Sequence, residues 1–152
     1  MNLKIKKLYK SSILPAKANE DDACFDIYAD LICDNEFNDD VVVIPPHKTV
    51  LIHTGFATEI PKGYWAPIFA RSGLATKRFL RPSQGVAVID AGYRGEWLVP
   101  LHNDSDVPQL VKHGERIAQF MISECIPICL VETEEFSEST RGTGGFGSSG
   151  KF

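Results

Sequence analysis

The sequence predicts an all-β domain, a sandwich, barrel or jelly roll, with one short helix. Three observations carry that prediction. Short runs rich in Val, Ile and aromatic residues recur along the 152-residue chain. Turn residues separate them: Pro45-Pro46, Pro61-Lys62-Gly63, Asn103-Asp104 and His113-Gly114. A single segment, Leu74-Ala-Thr-Lys-Arg-Phe-Leu80, collects helix formers instead.

The elements follow in order. Strands are expected at Leu3–Tyr9 and Phe25–Ile32, then at Val41–Ile44 before the Pro45-Pro46 turn. Thr49–Thr54 and Ala57–Ile60 flank Gly55, and Tyr64–Phe69 begins beyond the Pro61–Gly63 turn. The helix follows Ser72-Gly73, a pair suited to capping it. Val86–Ile89, Trp97–Leu101, Ile117–Ile122 and Ile126–Val131 complete the set. Asp34-Asn-Glu-Phe-Asn-Asp-Asp40 reads as a solvated loop. The acidic stretch Glu132–Glu138 separates a compact body from a glycine-rich tail, with a hinge near Ser137–Thr140. The expected division is a body over 1–136 and an arm over 137–152.

Composition removes several classes. Charged residues make up 24% of the chain and the net charge is −4, so no general basic field draws nucleic acid. No long apolar run offers a membrane span, and Met1-Asn-Leu-Lys-Ile-Lys-Lys-Leu-Tyr9 lacks the apolar core of a signal peptide. Cys24, Cys33, Cys125 and Cys129 form no C-x-x-C pair and read as reduced thiols in a cytoplasm. Cys125-Ile-Pro-Ile-Cys129 suits strand residues around a proline better than metal ligands. His47, His53, His102 and His113 are scattered and read as structural.

Five short segments carry chemistry. In Cys24-Phe-Asp26-Ile-Tyr28 a carboxylate interrupts an apolar strand, which is costly unless it is paired; a salt bridge is the plainest explanation. Arg71-Ser72-Gly73-Leu74 places a guanidinium and a hydroxyl at a helix start, where free N–H groups favour an anion; alone it is equally an ordinary cap. Gln84-Gly85-Val-Ala-Val88-Ile89-Asp90-Ala-Gly-Tyr93 reads as a strand and hairpin. Its backbone could read a base edge, with Asp90 as a general base and Tyr93 as a flat surface for a sugar; alone it is equally a common Asp-containing hairpin turn. In Gly114-Glu-Arg-Ile-Ala-Gln119 an amide interrupts an apolar strand, ready to hold a water or a phosphate oxygen.

The fifth segment is the tail, Arg141-Gly-Thr-Gly-Gly-Phe146-Gly147-Ser148-Ser149-Gly-Lys-Phe152. It joins a guanidinium, an aromatic face and closely spaced backbone donors, the parts of a nucleotide clamp, although composition alone favours a flexible, disordered tail. It also satisfies G-x-G-x-x-G and most of G-x-x-x-x-G-K, but no helix follows to receive phosphates, so neither motif applies.

Together the five segments resemble the trimeric deoxyuridine triphosphatase (dUTPase) family, from about residue 20 onward. The resemblance implies a jelly-roll-like homotrimer with shared sites that hydrolyses dUTP to dUMP and pyrophosphate with Mg²⁺. Asp90 would activate the attacking water, and Tyr93 would exclude a ribose 2′-hydroxyl. Gln84, Gly85, Val88 and Ile89 would read uracil, while Arg71, Ser72, Gly73 and Gln119 would hold phosphates and the water. Arg141, Phe146, Gly147, Ser148 and Ser149 would close over the nucleotide, and Asp26 would support Mg²⁺ through water. Cys24 replaces a usual glycine, Gln84 a usual asparagine, and Ala91-Gly92 a pair that usually has an acidic member.

Two other readings share the scaffold. Ala91-Gly92-Tyr93 leans toward the related dCTP deaminases. Those enzymes need a glutamate on the next strand, where this chain has Pro100 between Val99 and Leu101, and they lack a Phe146-type arm. A regulatory nucleotide-binding protein is the other alternative, although all five segments keep their chemical groups.

Overall fold

A computed structural model describes residues 1–32, 40–146 and 148. The strands in chain order are β1 (Lys4–Lys7), β2 (Phe25–Tyr28), β3 (Val41–Ile44), β4 (Thr49–Ile52), β5 (Phe56–Glu59) and β6 (Tyr64–Phe69). Helix α1 (Ser72–Arg78) follows, then β7 (Leu80–Pro82), β8 (Ala87–Asp90), β9 (Val99–Asn103), β10 (Gln109–Lys112), β11 (Arg116–Phe120) and β12 (Ser123–Glu124). Every strand pairing is antiparallel, and the fold is a jelly roll with one short helix. The largest sheet joins β12, β6, β11 and β2, with β8 on the other edge of β6; a second joins β4, β9 and β7. β1 pairs with β5, and β10 with β3.

Alternation puts Ile44, Ile52, Ile68, Leu101 and Ile117 into one core with Phe56, Trp97 and Phe120. The Trp97 ring packs 5.1 Å from Phe56 and edge-on 4.8 Å from Phe120, centroid to centroid, and so ties the sheets together. Pro67 lies within β6, a position hostile to proline because it has no N–H to give. The ladder on the β11/β12 side is interrupted opposite it, between the Phe120–Ile68 and Ser123–Trp65 pairs.

The turn residues act as expected: Lys48 N–H donates to Pro45 O, Tyr64 N–H to Pro61 O and Glu115 N–H to Lys112 O. Four expectations need correction. Ile126–Val131 forms no strand; Ile126, Ile128 and Leu130 are exposed, and the segment pairs with none of the described residues. β7, β10 and β12 were not expected, because they are short and interrupted by Arg, Pro, Lys or Ser. The helix starts and ends two residues earlier, and Arg71 is its N-cap, with no side-chain capping bond from Ser72 or any other group. Phe79, at φ 56°, stops it in the left-handed region and turns the chain into β7. Finally, the Asp90–Tyr93 segment is no β-hairpin: β8 pairs with β6, whereas β9 pairs with β4 and β7. The loop expected at Asp34–Asp40 lies outside the described residues except for Asp40, as does Cys33.

Candidate active site

The first part of the site is built where β2, β6 and β11 run side by side. Asp26 pairs across the ladder with Gln119, so the two side chains share a face. A register shift between Arg116 and Ala118 inserts one extra residue there. Strict alternation would place Arg116 opposite Gln119; the shift returns it to the same face. Arg116 Nη1 then donates to Asp26 Oδ2 at 3.1 Å, and Arg71 Nε to Asp26 Oδ1 at 2.7 Å.

Asp26 is 8% exposed, so its charge needs these partners, and the salt-bridge expectation holds. Two guanidinium groups flank this one carboxylate, with the carboxylate of Asp22 in the same concavity. Only the Nε of Arg71 is engaged among the described residues, which leaves its terminal fork available to an anion. Gln119 Nε2 donates to Ala70 O at 2.9 Å and fixes the chain just before Arg71. Ser72 and Gly73 follow, both exposed at the start of α1.

Ala18, Asp22, Ala23 and Cys24 complete a concavity of about 390 Å³ around Asp26, Arg71 and Gln119. Burial pushes the Cys24 thiol above its ordinary range, the charge of Asp26 adds to that, and Lys17 opposes it. Cys24 therefore stays a neutral thiol and is a poor nucleophile at neutral pH.

The second part lies at the far end of β6. Asp90 pairs with Trp65, whereas Gln119 pairs with Phe69, on the opposite edge of the same strand. Four residues of rise and two strand spacings put Asp90 and Gln119 about 16 Å apart. Asp90 is exposed, and among the described residues no hydrogen bond or ion pair engages its carboxylate. Tyr93 N–H donates to Asp90 O at 3.1 Å and closes the turn. Arg94 Nη1 holds that turn through Ala91 O at 2.6 Å and Tyr93 O at 2.9 Å. Val88 projects on the same exposed side of β8 as Asp90, with Ile89 half-buried between them. Gln84 and Gly85 precede them in an exposed turn, where Gly85 takes φ 74° and its N–H donates to Pro82 O at 3.1 Å.

The third part stands apart from both. Cys125 N–H donates to Gly63 O at 2.7 Å, and residues 125–143 are exposed. Arg141 Nε donates to Gly144 O at 2.9 Å, Phe146 is fully exposed, and Ser148 N–H donates to Gly145 O at 2.8 Å. Gly147 and Ser149 lie outside the described residues. The fold thus brings Asp26, Arg71 and Gln119 together, with Ser72 and Gly73 next along the chain, and sets Asp90 and Tyr93 at the other end of β6. Gln84 and Gly85 precede the Ala87 end of β8, which pairs with Ile68 near the first group, so within the chain it is Asp90 and Gln119 that stay apart.

Sequence reasoning gave no role to Arg116, because a β-bulge leaves no mark in an apolar run. It also missed Glu96, whose signal was a lone acid beside the core residue Trp97. Pro100 lies in β9 between buried Val99 and Leu101, where the deaminase reading required a glutamate.

Such a structure defines an all-β protein with one short helix that pairs two arginines with a buried carboxylate at one end of β6 and presents an exposed carboxylate at the other. A family model described as dUTPase matches residues 10–150. The chain belongs to the dUTPase family, and it is an enzyme. It is 41% identical over 150 residues to the deoxyuridine 5′-triphosphate nucleotidohydrolase of Hydrogenobaculum sp., covering 99% of each chain. It is also 41% identical over 151 residues to the protein of that name from Nautilia profundicola, covering 99% of this chain and 100% of the relative. Among solved structures, a point mutant of the Staphylococcus bacteriophage 80alpha dUTPase with dUpNHpp superposes with a TM-score of 0.81 at 31% identity, covering 98% of both chains. The 80alpha dUTPase with dUpNHpp gives 0.80 at 32% identity, again covering 98% of both.

Proposed function

We propose that this chain hydrolyses dUTP to dUMP and pyrophosphate as a homotrimer whose sites are shared between copies. The observation that carries the shared site is the separation of about 16 Å between Asp90 and Gln119 within one chain. A water cannot be activated at one and held at the other across that distance, but a second copy can bring the two together. A closed ring repeats the same junction symmetrically.

Asp90 then accepts a proton from the attacking water, and its free carboxylate suits that role. Tyr93 packs on the deoxyribose, and the backbone from Gly85 to Ile89, with Gln84, reads uracil. Arg71 neutralises phosphate charge from a position fixed by Asp26, with Ser72 and Gly73 donating beside it and Gln119 orienting the water. Arg141, Phe146, Gly147, Ser148 and Ser149 close over the nucleotide from a third copy, which excludes bulk solvent.

The described residues hold no cluster of three His, Cys, Asp or Glu side chains able to cage a metal. Mg²⁺ keeps several waters and binds substrate phosphates, so it needs no such cage. Asp26, with both oxygens already bonded to arginine, would touch it through water. When bound, Mg²⁺ supplies charge neutralisation on the phosphate chain. The comparison structures include a 24%-identical dUTPase from phage phi11 of S. aureus, described with a structural Mg(II) ion; its TM-score is 0.74.

No helix among the described residues is long and apolar enough to cross a membrane. The unpaired cysteines suit a reducing cytoplasm. Pyrophosphate release measured in parallel on dUTP, dCTP, dTTP and UTP tests the activity. Release from dUTP alone is expected; ammonia from dCTP, or no release from any substrate, contradicts it.

A further inference from the structure

The Tyr93 ring is held by two neighbours to which the reaction assigns no part. Its hydroxyl donates to Glu96 O at 2.9 Å, and the ring folds back over Gly95. A β-carbon on Gly95 would stand 2.4 Å from the Tyr93 hydroxyl oxygen and 2.6 Å from Cζ, too close for any side chain. Glu96 is in turn locked to the body. Its Oε1 accepts the N–H of Thr54 at 3.1 Å and of Gly55 at 2.7 Å, and its Oε2 lies 2.9 Å from His53 Nδ1. The next residue continues the seam: Trp97 N–H donates to Phe56 O at 3.0 Å, and Thr54 Oγ1 donates to Trp97 O. The Glu96 side chain is only 12% exposed, so these bonds form a shielded clamp.

We infer that Gly95 and Glu96 are positioning residues that set 2′-deoxy over ribo selectivity by fixing the Tyr93 ring. This deepens the proposed reaction and rests on its placing of Tyr93 against the sugar. A wall excludes a hydroxyl only if it cannot retreat. An exposed turn joining two different sheets has no ladder of its own to hold it. The clamp supplies that rigidity: Glu96 anchors the carbonyl that receives the Tyr93 hydroxyl, and Gly95 leaves the space in which the ring lies.

The experiment compares kcat/KM for dUTP and UTP, and calorimetric binding of dUMP and UMP, in Gly95→Ala, Glu96→Ala and Glu96→Gln. Thermal melting confirms that each variant is folded. Gly95→Ala should lower the dUTP-to-UTP preference by about tenfold, as expected when a discriminating group moves by about an ångström. Glu96→Ala should do the same. Glu96→Gln keeps an oxygen for both backbone N–H groups and an amide for His53, and should retain most of the preference. Folded Gly95→Ala that loses both activities in equal proportion, with both preferences intact, would overturn the inference, as would a Glu96→Gln variant no better than Glu96→Ala. If the wild type hydrolyses neither triphosphate, the proposed reaction falls. The dUMP-to-UMP binding ratio then decides the clamp alone: a lower ratio in Gly95→Ala upholds it, an unchanged ratio sinks it.

Discussion

The two ends of β6 are built on opposite plans. At the Phe69 end, Asp26, Arg71, Arg116 and Gln119 hold one another through hydrogen bonds within a single chain. At the Trp65 end, Asp90 stands exposed and its carboxylate engages none of the described residues. The difference suits the tasks proposed for them. Groups that neutralise a polyanion must be oriented before it arrives, and a buried carboxylate is an efficient way to orient guanidinium groups. A general base must keep its lone pairs for a water.

Breaking each end should therefore have a different signature. The largest effect is expected at the exposed end. Asp90→Asn should lower turnover by about two to four orders of magnitude, the range of general-base catalysis, while folding and dUTP binding persist. Near-normal turnover in that variant would remove Asp90 as the base.

At the paired end, Asp26→Asn should strike stability as well as activity. It leaves two arginines without their counter-charge, at a cost of about 2 kcal/mol once their partial exposure is allowed for. Urea denaturation measures it, and an unchanged midpoint would mean that Asp26 does not organise this end. Phe146→Ala, which touches neither end, should weaken dUTP binding by about 1–3 kcal/mol with the melting temperature unchanged. Equal affinity in calorimetry would show that the aromatic never covers the base.

The smallest effect sharpens the picture of the paired end. Burial and the neighbouring Asp26 raise the Cys24 pKa, so its thiolate is scarcer at any given pH than that of a free thiol. Alkylation of Cys24 should be slower than that of exposed Cys125 and Cys129 at pH 7 to 8, and should catch up as pH rises. Faster labelling of Cys24 would mean that burial and the neighbouring Asp26 do not set its reactivity.

The same contrast explains what could be read from the sequence. Strands such as Val41–Ile44 and Tyr64–Phe69 were legible with their bounds, because apolar runs there end at prolines and glycines that also turn the chain. The chemistry-bearing residues were legible because Asp26, Arg71 and Gln119 interrupt apolar or turn segments where a polar group must have a purpose. Arg116 was not, since its position depends on a register shift that composition does not record. Ile126–Val131 misled for a related reason: apolar β-formers announce a strand, but a strand also needs a partner, and this segment pairs with none of the described residues. Likewise, Asp90-Ala-Gly-Tyr93 has the composition of a hairpin, yet its flanking strands enter different sheets.

The central claim is that the two ends of β6 meet only between copies. Co-refolding equal amounts of Asp90→Asn and Arg71→Ala chains, each inactive alone, tests it directly. If each site takes Asp90 from one copy and Arg71 from the next, every mixed trimer holds one complete site in three. Random mixing makes about three-quarters of the trimers mixed, so about a quarter of wild-type activity should return. Activity that stays at background, with mixed trimers confirmed by native mass spectrometry, would place both ends of the site in the same chain and contradict the account.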